Sequence, residues 1–413
     1  MKNLSSHRRS SIIISLIVFS ILLLTECINN SKQKIKQTHD GSFEKFAGSQ
    51  SCANCHKDIY EKHIHTEHHL SSAIANEKNI LGSFSSGSNV FIFDPATNVT
   101  MEKRDSVFYQ VEYINGSEVK KGRFDIVVGS GRKGQSYLNW LGDRLVQLPI
   151  TYFSPAGQWS NSPGYPPQKV AFYRPITSRC LECHSTYFEK TSDSSDRFEK
   201  FDRNKVIYAV ECEKCHGPAA EHVKFQSQNP TLKQAKYIVN PGKLSRERIL
   251  DLCTLCHGGP LTKTKPSFSF QAGDTLSNYF SLPARTSYAD NIDVHGNQMG
   301  LLSFSKCFTV GSVTCINCHN IHENERDEIR IFSQRCMNCH GQGHGTVCKL
   351  TKQIGPPIKE DCIDCHMPKQ LSHAVAVYLQ GADVPTPALM RTHYVKIYPD
   401  QSQKVLALLK KKK

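Results

Sequence analysis

Residues 212–222 read CEKCHGPAAEH, with two cysteines separated by two residues, a histidine directly after the second cysteine, and another histidine six residues later. The same C-x-x-C-H spacing occurs seven times in the 413-residue chain and uses fourteen of its seventeen cysteines. The copies are Cys52-Cys55-His56, Cys180-Cys183-His184, Cys212-Cys215-His216, Cys253-Cys256-His257, Cys315-Cys318-His319, Cys336-Cys339-His340 and Cys362-Cys365-His366. A spacing repeated this often indicates one chemistry that needs two thiols and an imidazole at every site.

This pattern is typical of c-type haem attachment, in which both cysteines form thioethers to the porphyrin and the adjoining histidine ligates iron. Two intervening residues let both sulfurs reach one porphyrin edge while the next side chain reaches the metal. Zinc ribbons and disulfides also use paired cysteines, but neither needs a histidine after each pair. We therefore predict seven c-type haems, with the histidine of each motif as a proximal iron ligand.

The histidines outside the motifs are candidates for the second axial position of each iron, which electron carriers usually fill. His222 lies past a Gly-Pro turn that keeps it from extending its own haem-binding segment, so we expect it to ligate a neighbouring haem. With His7 in the leader and His39 in the linker set aside, ten such histidines remain for seven positions.

Several of these segments resemble a known superfamily. The segments are CHGPAAEH at 215–222, CHNIH at 318–322 and CHMP at 365–368 with the later RTHYVKIYP. They are similar to the multihaem cytochromes that include hydroxylamine oxidoreductase, pentahaem nitrite reductase and the tetrahaem cytochrome of ammonia oxidisers. The resemblance covers most of residues 50–400. Four further segments resemble a subgroup of exported bacterial multihaem cytochromes. They read YEKHIHTEHHLSS, GSGRKGQSYLNWLGDRLVQLP, NSPGY and DVHGNQ. The resemblance implies five distal ligands, namely His68, His222, His295, His322 and His393.

Two haems then lack an assigned sixth ligand. The candidates are His373, His344, His65, His69 and Met299, and each of these histidines is equally well explained as a solvated surface residue. An open iron position would favour an oxidoreductase of a small nitrogen or sulfur compound. However, all seven motifs end in histidine, without the lysine-ended variant of nitrite reductases, so we favour an electron-transfer protein and assign no catalytic residue.

The N-terminal residues 1–27 have the features of an export signal, with a basic start and an apolar run of 14 residues that is too short to span a bilayer comfortably. Cys27 at the end of this run resembles a lipoprotein acylation site, although Glu26 departs from that pattern. Ordinary cleavage and an uncleaved anchor remain open alternatives. We predict an exported protein, periplasmic or anchored at the membrane through Cys27, with residues 28–48 as a polar linker.

The cysteine-free stretch between the first two motifs alternates polar and apolar residues. VFIFD, VFYQVEYI and KGRFDIVVG are typical of strands, and Asn115-Gly116 is a hairpin signal. This predicts a β-rich insertion over residues 84–175, ending in the Pro-rich SPAGQWSNSPGYPP, which disfavours a continued helix or strand. Around it we expect a first haem segment at 49–83, a six-haem domain at 176–400 and a basic tail at 401–413. The predicted fold is mainly α with many loops, and LSRERILDLCTLCH has the apolar spacing of a helix.

The formal net charge of +14 does not indicate nucleic-acid binding here, because the propionates of seven haems offset most of it. GSGRKG at 129–134 matches a dinucleotide fingerprint, but no βαβ pattern follows it, so we predict no nucleotide partner. The expected partners are redox proteins. Cys307 and Cys348 flank two motifs and are either a disulfide pair or free thiols.

Overall fold

The computed structural model describes residues 43–193, 196–282, 288–341 and 348–411. The chain forms two compact units, Met1–Lys45 and Phe46–Lys413. Only a 3-10 turn, Phe43–Lys45, is described in the first unit, and everything below concerns the second. The predicted signal, Cys27, most of the linker and His344 lie outside the described residues. Among the helices of the described ranges, none has the length and apolar character needed to cross a membrane.

Short helices and strands contribute comparably to the fold. The helices are α1 (Ser49–Ala53), α2 (Lys57–His63), α3 (Ser178–His184), α4 (Cys212–His216), α5 (Ala220–Gln228), α6 (Arg246–His257), α7 (Gln298–Leu302), α8 (Lys306–Val310), α9 (Ile329–His340), α10 (Thr351–Ile354), α11 (Cys362–His366) and α12 (Pro399–Lys411). The strands are β1 (Ser72–Ile74), β2 (Val90–Ile92), β3 (Thr97–Arg104), β4 (Val107–Ile114), β5 (Ser117–Arg123), β6 (Ile126–Val128), β7 (Ser136–Leu141), β8 (Arg144–Gln147), β9 (Ile150–Phe153), β10 (Gln158–Asn161), β11 (Arg174–Pro175), β12 (Ser185–Lys190), β13 (Phe201–Tyr208), β14 (Thr262–Lys263), β15 (Phe280–Ser281), β16 (Lys369–Val377) and β17 (Thr386–Arg391).

The prediction of a mainly α fold is wrong, because 31% of the structure is helical and 25% is strand. Part of the strand content lies among the haem motifs. β12 pairs with β13 directly after the second motif, and β16 pairs with β17 after the seventh. Nearly all of β12 is buried, so its sequence STYFEK lacks the alternation that marks a half-exposed strand. Periodicity therefore gave no strand signal there.

Between the first two motifs, β2 to β5 form a four-stranded antiparallel sheet in chain order. The predicted hairpin turn is confirmed, since β4 and β5 pair across Asn115-Gly116 and both residues have positive φ angles, 50° and 78°. Asparagine and glycine are the residues that tolerate this left-handed conformation at low cost. LSRERILDLCTLCH is also confirmed as a helix, α6, whose N-cap Ser245 side chain accepts a hydrogen bond from the Arg248 amide.

A five-stranded sheet in the order β1-β6-β7-β8-β11 separates two hydrophobic cores. Alternate side chains of a strand point to opposite faces. Val127 and Tyr137 thus pack with Trp159 in one core, whereas Ile126 and Leu138 pack in the other. The second core contains Leu181 of α3, so the sheet directly supports the helix that carries the second haem motif.

Two loop predictions have different outcomes. Residues 129–134 connect β6 to β7, which pair antiparallel, and this is not the βαβ unit that a dinucleotide fingerprint requires. The expectation of no strand in the Pro-rich stretch is wrong, because Gln158–Asn161 form β10 against β9. Pro155 and Pro163 lie outside the four paired residues and remove no ladder hydrogen bond.

Candidate haem sites

Each C-x-x-C-H motif lies on one helical turn. The second, third and seventh motifs lie within α3, α4 and α11, and the fourth and sixth end α6 and α9. In the first motif the His56 amide donates to the Cys52 carbonyl at 2.8 Å, and in the fifth the His319 amide donates to the Cys315 carbonyl at 3.0 Å. Residues three and four apart share a helix face. The turn therefore presents both sulfurs and the imidazole on one side.

Three motif histidines face a predicted distal histidine. The ring centres of His216 and His322 are 6.1 Å apart, with 26° between the ring planes. Those of His319 and His393 are 6.2 Å apart, with 29° between the planes. His257 pairs in the same way with His68, at 6.2 Å and 60°.

This separation fits one iron between two imidazoles. A metal–nitrogen bond to histidine is about 2.0 Å, and the ring nitrogen lies about 1 Å from its ring centre, so two such ligands place their ring centres about 6 Å apart. Directly stacked aromatic rings would be closer. The three pairs therefore match the donor set and spacing that a six-coordinate haem iron requires.

The far nitrogen of several candidate ligands is held by a hydrogen bond. Nδ1 of His216 lies 2.8 Å from the Val239 carbonyl oxygen, and Nδ1 of His222 lies 2.8 Å from the Lys236 carbonyl oxygen. Nδ1 of His257 lies 3.0 Å from Gln298 Oε1, and that of His366 lies 2.9 Å from the Lys396 carbonyl oxygen. A proton held at Nδ1 leaves the Nε2 lone pair for a metal.

Burial keeps the paired imidazoles neutral. It lowers the pKa of His68 to about 4, with His257 adding to the effect, and it lowers the pKa of His393 to about 3. The pKa of His184 is also lowered to about 4, by burial first and then by His295 nearby. Only the neutral form can ligate a metal. The effect of His295 on the pKa of His184 shows that these two imidazoles lie near each other, although no ring contact joins them.

His56 of the first motif and His222 both lie near His216 of the third motif. Burial lowers the pKa of His216, and the charges of His56 and His222 lower it further. Both imidazoles are therefore close to the third motif.

The remaining candidates that the structure describes are His65, His69, His373 and Met299. His373 and His65 are exposed, and Nδ1 of His69 lies 2.7 Å from a Glu211 oxygen. Met299 lies in α7 beside Gln298. Within the described ranges, no ring pair of the kind above joins His340 or His366 to another histidine. Cys307 and Cys348 are both free thiols.

Contacts between motifs were not predicted from the sequence. The sulfur atoms of Cys52 and Cys212 lie close together, as do those of Cys183 and Cys256 and those of Cys253 and Cys315. The first motif is therefore adjacent to the third, the second to the fourth, and the fourth to the fifth. No spacing signal in the sequence reports such contacts, because the partners are far apart along the chain.

Comparisons with known proteins identify two similarities. A family model described as cytochrome c554 and c-prime matches residues 168–217, which contain the second and third motifs. The crystal structure of the outer cell wall cytochrome OcwA is similar with a TM-score of 0.53 and 14% sequence identity, over 87% of this chain and 81% of that chain. A search of curated proteins gives no match. The chain has the fold of a multihaem c-type cytochrome. The two similarities support c-type haem as the cofactor of this chain.

Proposed function

We propose that this multihaem cytochrome is an electron-transfer protein that carries seven c-type haems, most of them ligated by two histidines. The observation that carries the proposal is the set of three ring pairs, each formed by a motif histidine and a histidine far from it in sequence at 6.1–6.2 Å. Haem held in this way supplies one-electron chemistry with no open iron position. The proposed pairs are His216 with His322, His319 with His393, and His257 with His68.

Two further pairs belong to the proposal. His295 is the proposed distal ligand at the second motif, because it lies near His184. His222 is the proposed distal ligand at the first motif, because it and His56 both lie near His216. The Nδ1 contact of His222 with the Lys236 carbonyl orients the ring for such a role.

The contacts between motifs support a single connected network. Besides the three close pairs of cysteine sulfurs, Arg335 of α9 donates to the Cys318 carbonyl at 2.7 Å, which joins the sixth motif to the fifth. The Cys362 amide donates to Ser333 Oγ of α9 at 2.9 Å, which joins the seventh to the sixth. His322, three residues after the fifth motif, reaches the third. Every motif is therefore adjacent to at least one other, as a relay of electrons requires.

Location, partners and finer family membership complete the proposal. The leader-like start and Cys27 support export, to the periplasm or to a lipid anchor at the membrane. Export also suits a chain with seventeen cysteines. Redox proteins are the proposed partners. The motifs CHGP, CHNIH and CHMP support membership of the superfamily that includes hydroxylamine oxidoreductase.

A second candidate function is reduction or oxidation of a small nitrogen or sulfur compound. His340 is exposed and has no paired histidine ring in the described part of the chain, so its iron is the proposed place for an open position.

Electron paramagnetic resonance of the ferric protein tests both functions. The electron-transfer proposal predicts low-spin signals that do not change when nitrite or hydroxylamine is added. A high-spin signal that shifts with either compound would favour the enzyme instead. The double variant Cys336→Ala/Cys339→Ala is the matched control, because it removes the haem of that motif and with it any high-spin signal that arises there.

A further inference from the structure

Three side chains that hold no proposed haem meet next to the first and third motifs. His63 ends α2, His69 follows six residues later, and Glu211 directly precedes Cys212. One Glu211 oxygen lies 3.3 Å from Nε2 of His63, and the other lies 2.7 Å from Nδ1 of His69. The three candidate ligand atoms all lie within 4.8 Å of one another. Two imidazoles and one carboxylate thus converge on one point.

Both ring nitrogens lie against the Glu211 carboxylate. His63 is only 7% exposed. Its Nε2 and the Nδ1 of His69 are buried and make no hydrogen bond of acceptable geometry with any described residue, although the carboxylate is close. Buried polar atoms almost always have a hydrogen-bond partner. Two buried ring nitrogens that lie beside one carboxylate without such a bond therefore need an explanation.

The surroundings hold the carboxylate in place. Ser49 Oγ donates to Glu211 Oε2 at 2.7 Å, which fixes the side chain from the other side. Partners of this kind orient ligands at metal sites. Nearby, the Val210 amide donates to the His68 carbonyl at 3.0 Å, so the two segments that supply the ligands already touch.

We propose that His63, His69 and Glu211 bind one divalent first-row transition metal ion of the zinc type, separate from the haem irons. Two histidines and one carboxylate are an established donor set for such ions, with bonds of about 2.0–2.2 Å. The ion links the segment that carries His68 to the segment that leads into the third motif. It also removes His69 from the candidates for a distal haem ligand.

Zinc binding to the haem-loaded protein tests this site. The protein is treated with a chelator, dialysed and titrated with Zn²⁺ by calorimetry, and bound zinc is counted by elemental analysis. The expected result is one tightly bound Zn²⁺ per chain. Glu211→Gln and His63→Gln should weaken that binding by at least about 100-fold, since they remove direct ligands.

His65→Gln is the matched control, because His65 is an exposed imidazole two residues from His63. It should leave zinc binding unchanged. The iron content and visible spectrum of each variant report whether its haems and fold are intact, and Glu211→Gln gives a test that preserves the shape of the side chain. Wild-type protein that binds no tight zinc would overturn the proposal and leave a buried ion pair. Equal losses in the His65 and His63 variants would also overturn it.

Discussion

The imidazoles of His216 and His322 face each other at a ring-centre distance of 6.1 Å with 26° between their planes. His216 belongs to the third motif, whereas His322 follows the fifth. The Nδ1 atom of His216 is held by the Val239 carbonyl, so its Nε2 is the nitrogen left for a metal. One imidazole pair thus connects the third motif to a residue that follows the fifth motif in the chain.

Replacing His322 by alanine removes the proposed sixth ligand at the third motif. We expect one haem to change from low spin to high spin in the ferric protein, while the other six keep their signals. His373→Ala is the control, because His373 is exposed and faces no motif histidine. Magnetic circular dichroism and electron paramagnetic resonance measure the change. An unaltered spin state in His322→Ala would refute the assignment.

The angles between imidazole planes predict different resonance line shapes. Near-parallel planes, as in the His216–His322 and His319–His393 pairs, split the iron d orbitals and give rhombic low-spin signals. The 60° angle between His68 and His257 keeps those orbitals closer in energy and favours a single feature at large g. His68→Ala should therefore remove the large-g feature and leave the rhombic signals. Loss of a rhombic signal in that variant would contradict the pairing.

Glu213 anchors the N-terminal end of the second unit to the third motif. Its buried carboxylate accepts hydrogen bonds from the amides of Ala47, Gly48 and Ala219, each at 2.8 Å. Glu213→Gln leaves at least one of these buried or partly buried amides without an acceptor, so we expect the free energy of unfolding to fall by about 1–3 kcal/mol. Denaturant unfolding of the haem-loaded protein measures this loss. Glu221→Gln on the exposed face of α5 is the control, and an equal loss there would contradict the account.

The ion pair between Glu325 and Arg335 should make stability depend on pH. The Arg335 guanidinium, with Nη1 at 2.6 Å, holds the pKa of Glu325 below its ordinary value. A depressed pKa stabilises the fold at pH values above the unfolded value, about 4.3, and this contribution is lost as the pH falls through the folded value. The melting temperature of Glu325→Gln should therefore be lower than that of wild type at neutral pH, and the difference should shrink in acid.

The control for this pair is Glu360→Gln. Glu360 pairs with Arg330, but both side chains are largely exposed, and exposed pairs contribute little. We expect almost no change in melting temperature at any pH. A difference between wild type and Glu325→Gln that persists at low pH would show that shape, and not charge, explains the effect.

The seven motifs could be predicted from the sequence because thioether attachment fixes the spacing of two cysteines and one histidine within one turn. The hairpin at Asn115-Gly116 was predictable for a similar local reason, since the turn needs positive φ angles. The pairing of His257 with His68 was not predictable, because nothing near either residue encodes which distant ring it faces. Resemblance suggested that His68 is a ligand but not which motif it serves.

The balance of helix and strand was misjudged for a physical reason. β12 is buried on both faces, and its sequence has no polar alternation to reveal a strand. The cluster of His63, His69 and Glu211 was also missed. The only available signal was the crowding of four histidines between residues 63 and 69, and Glu211 is distant in sequence.

Intact-mass spectrometry of the protein isolated from cells that attach c-type haem tests the central claim most directly. The account predicts a mass increase of seven haems, falling by one haem when both cysteines of any one motif are replaced by alanine. Wild-type protein with fewer than seven haems, or a motif whose double replacement leaves the haem count unchanged, would contradict it.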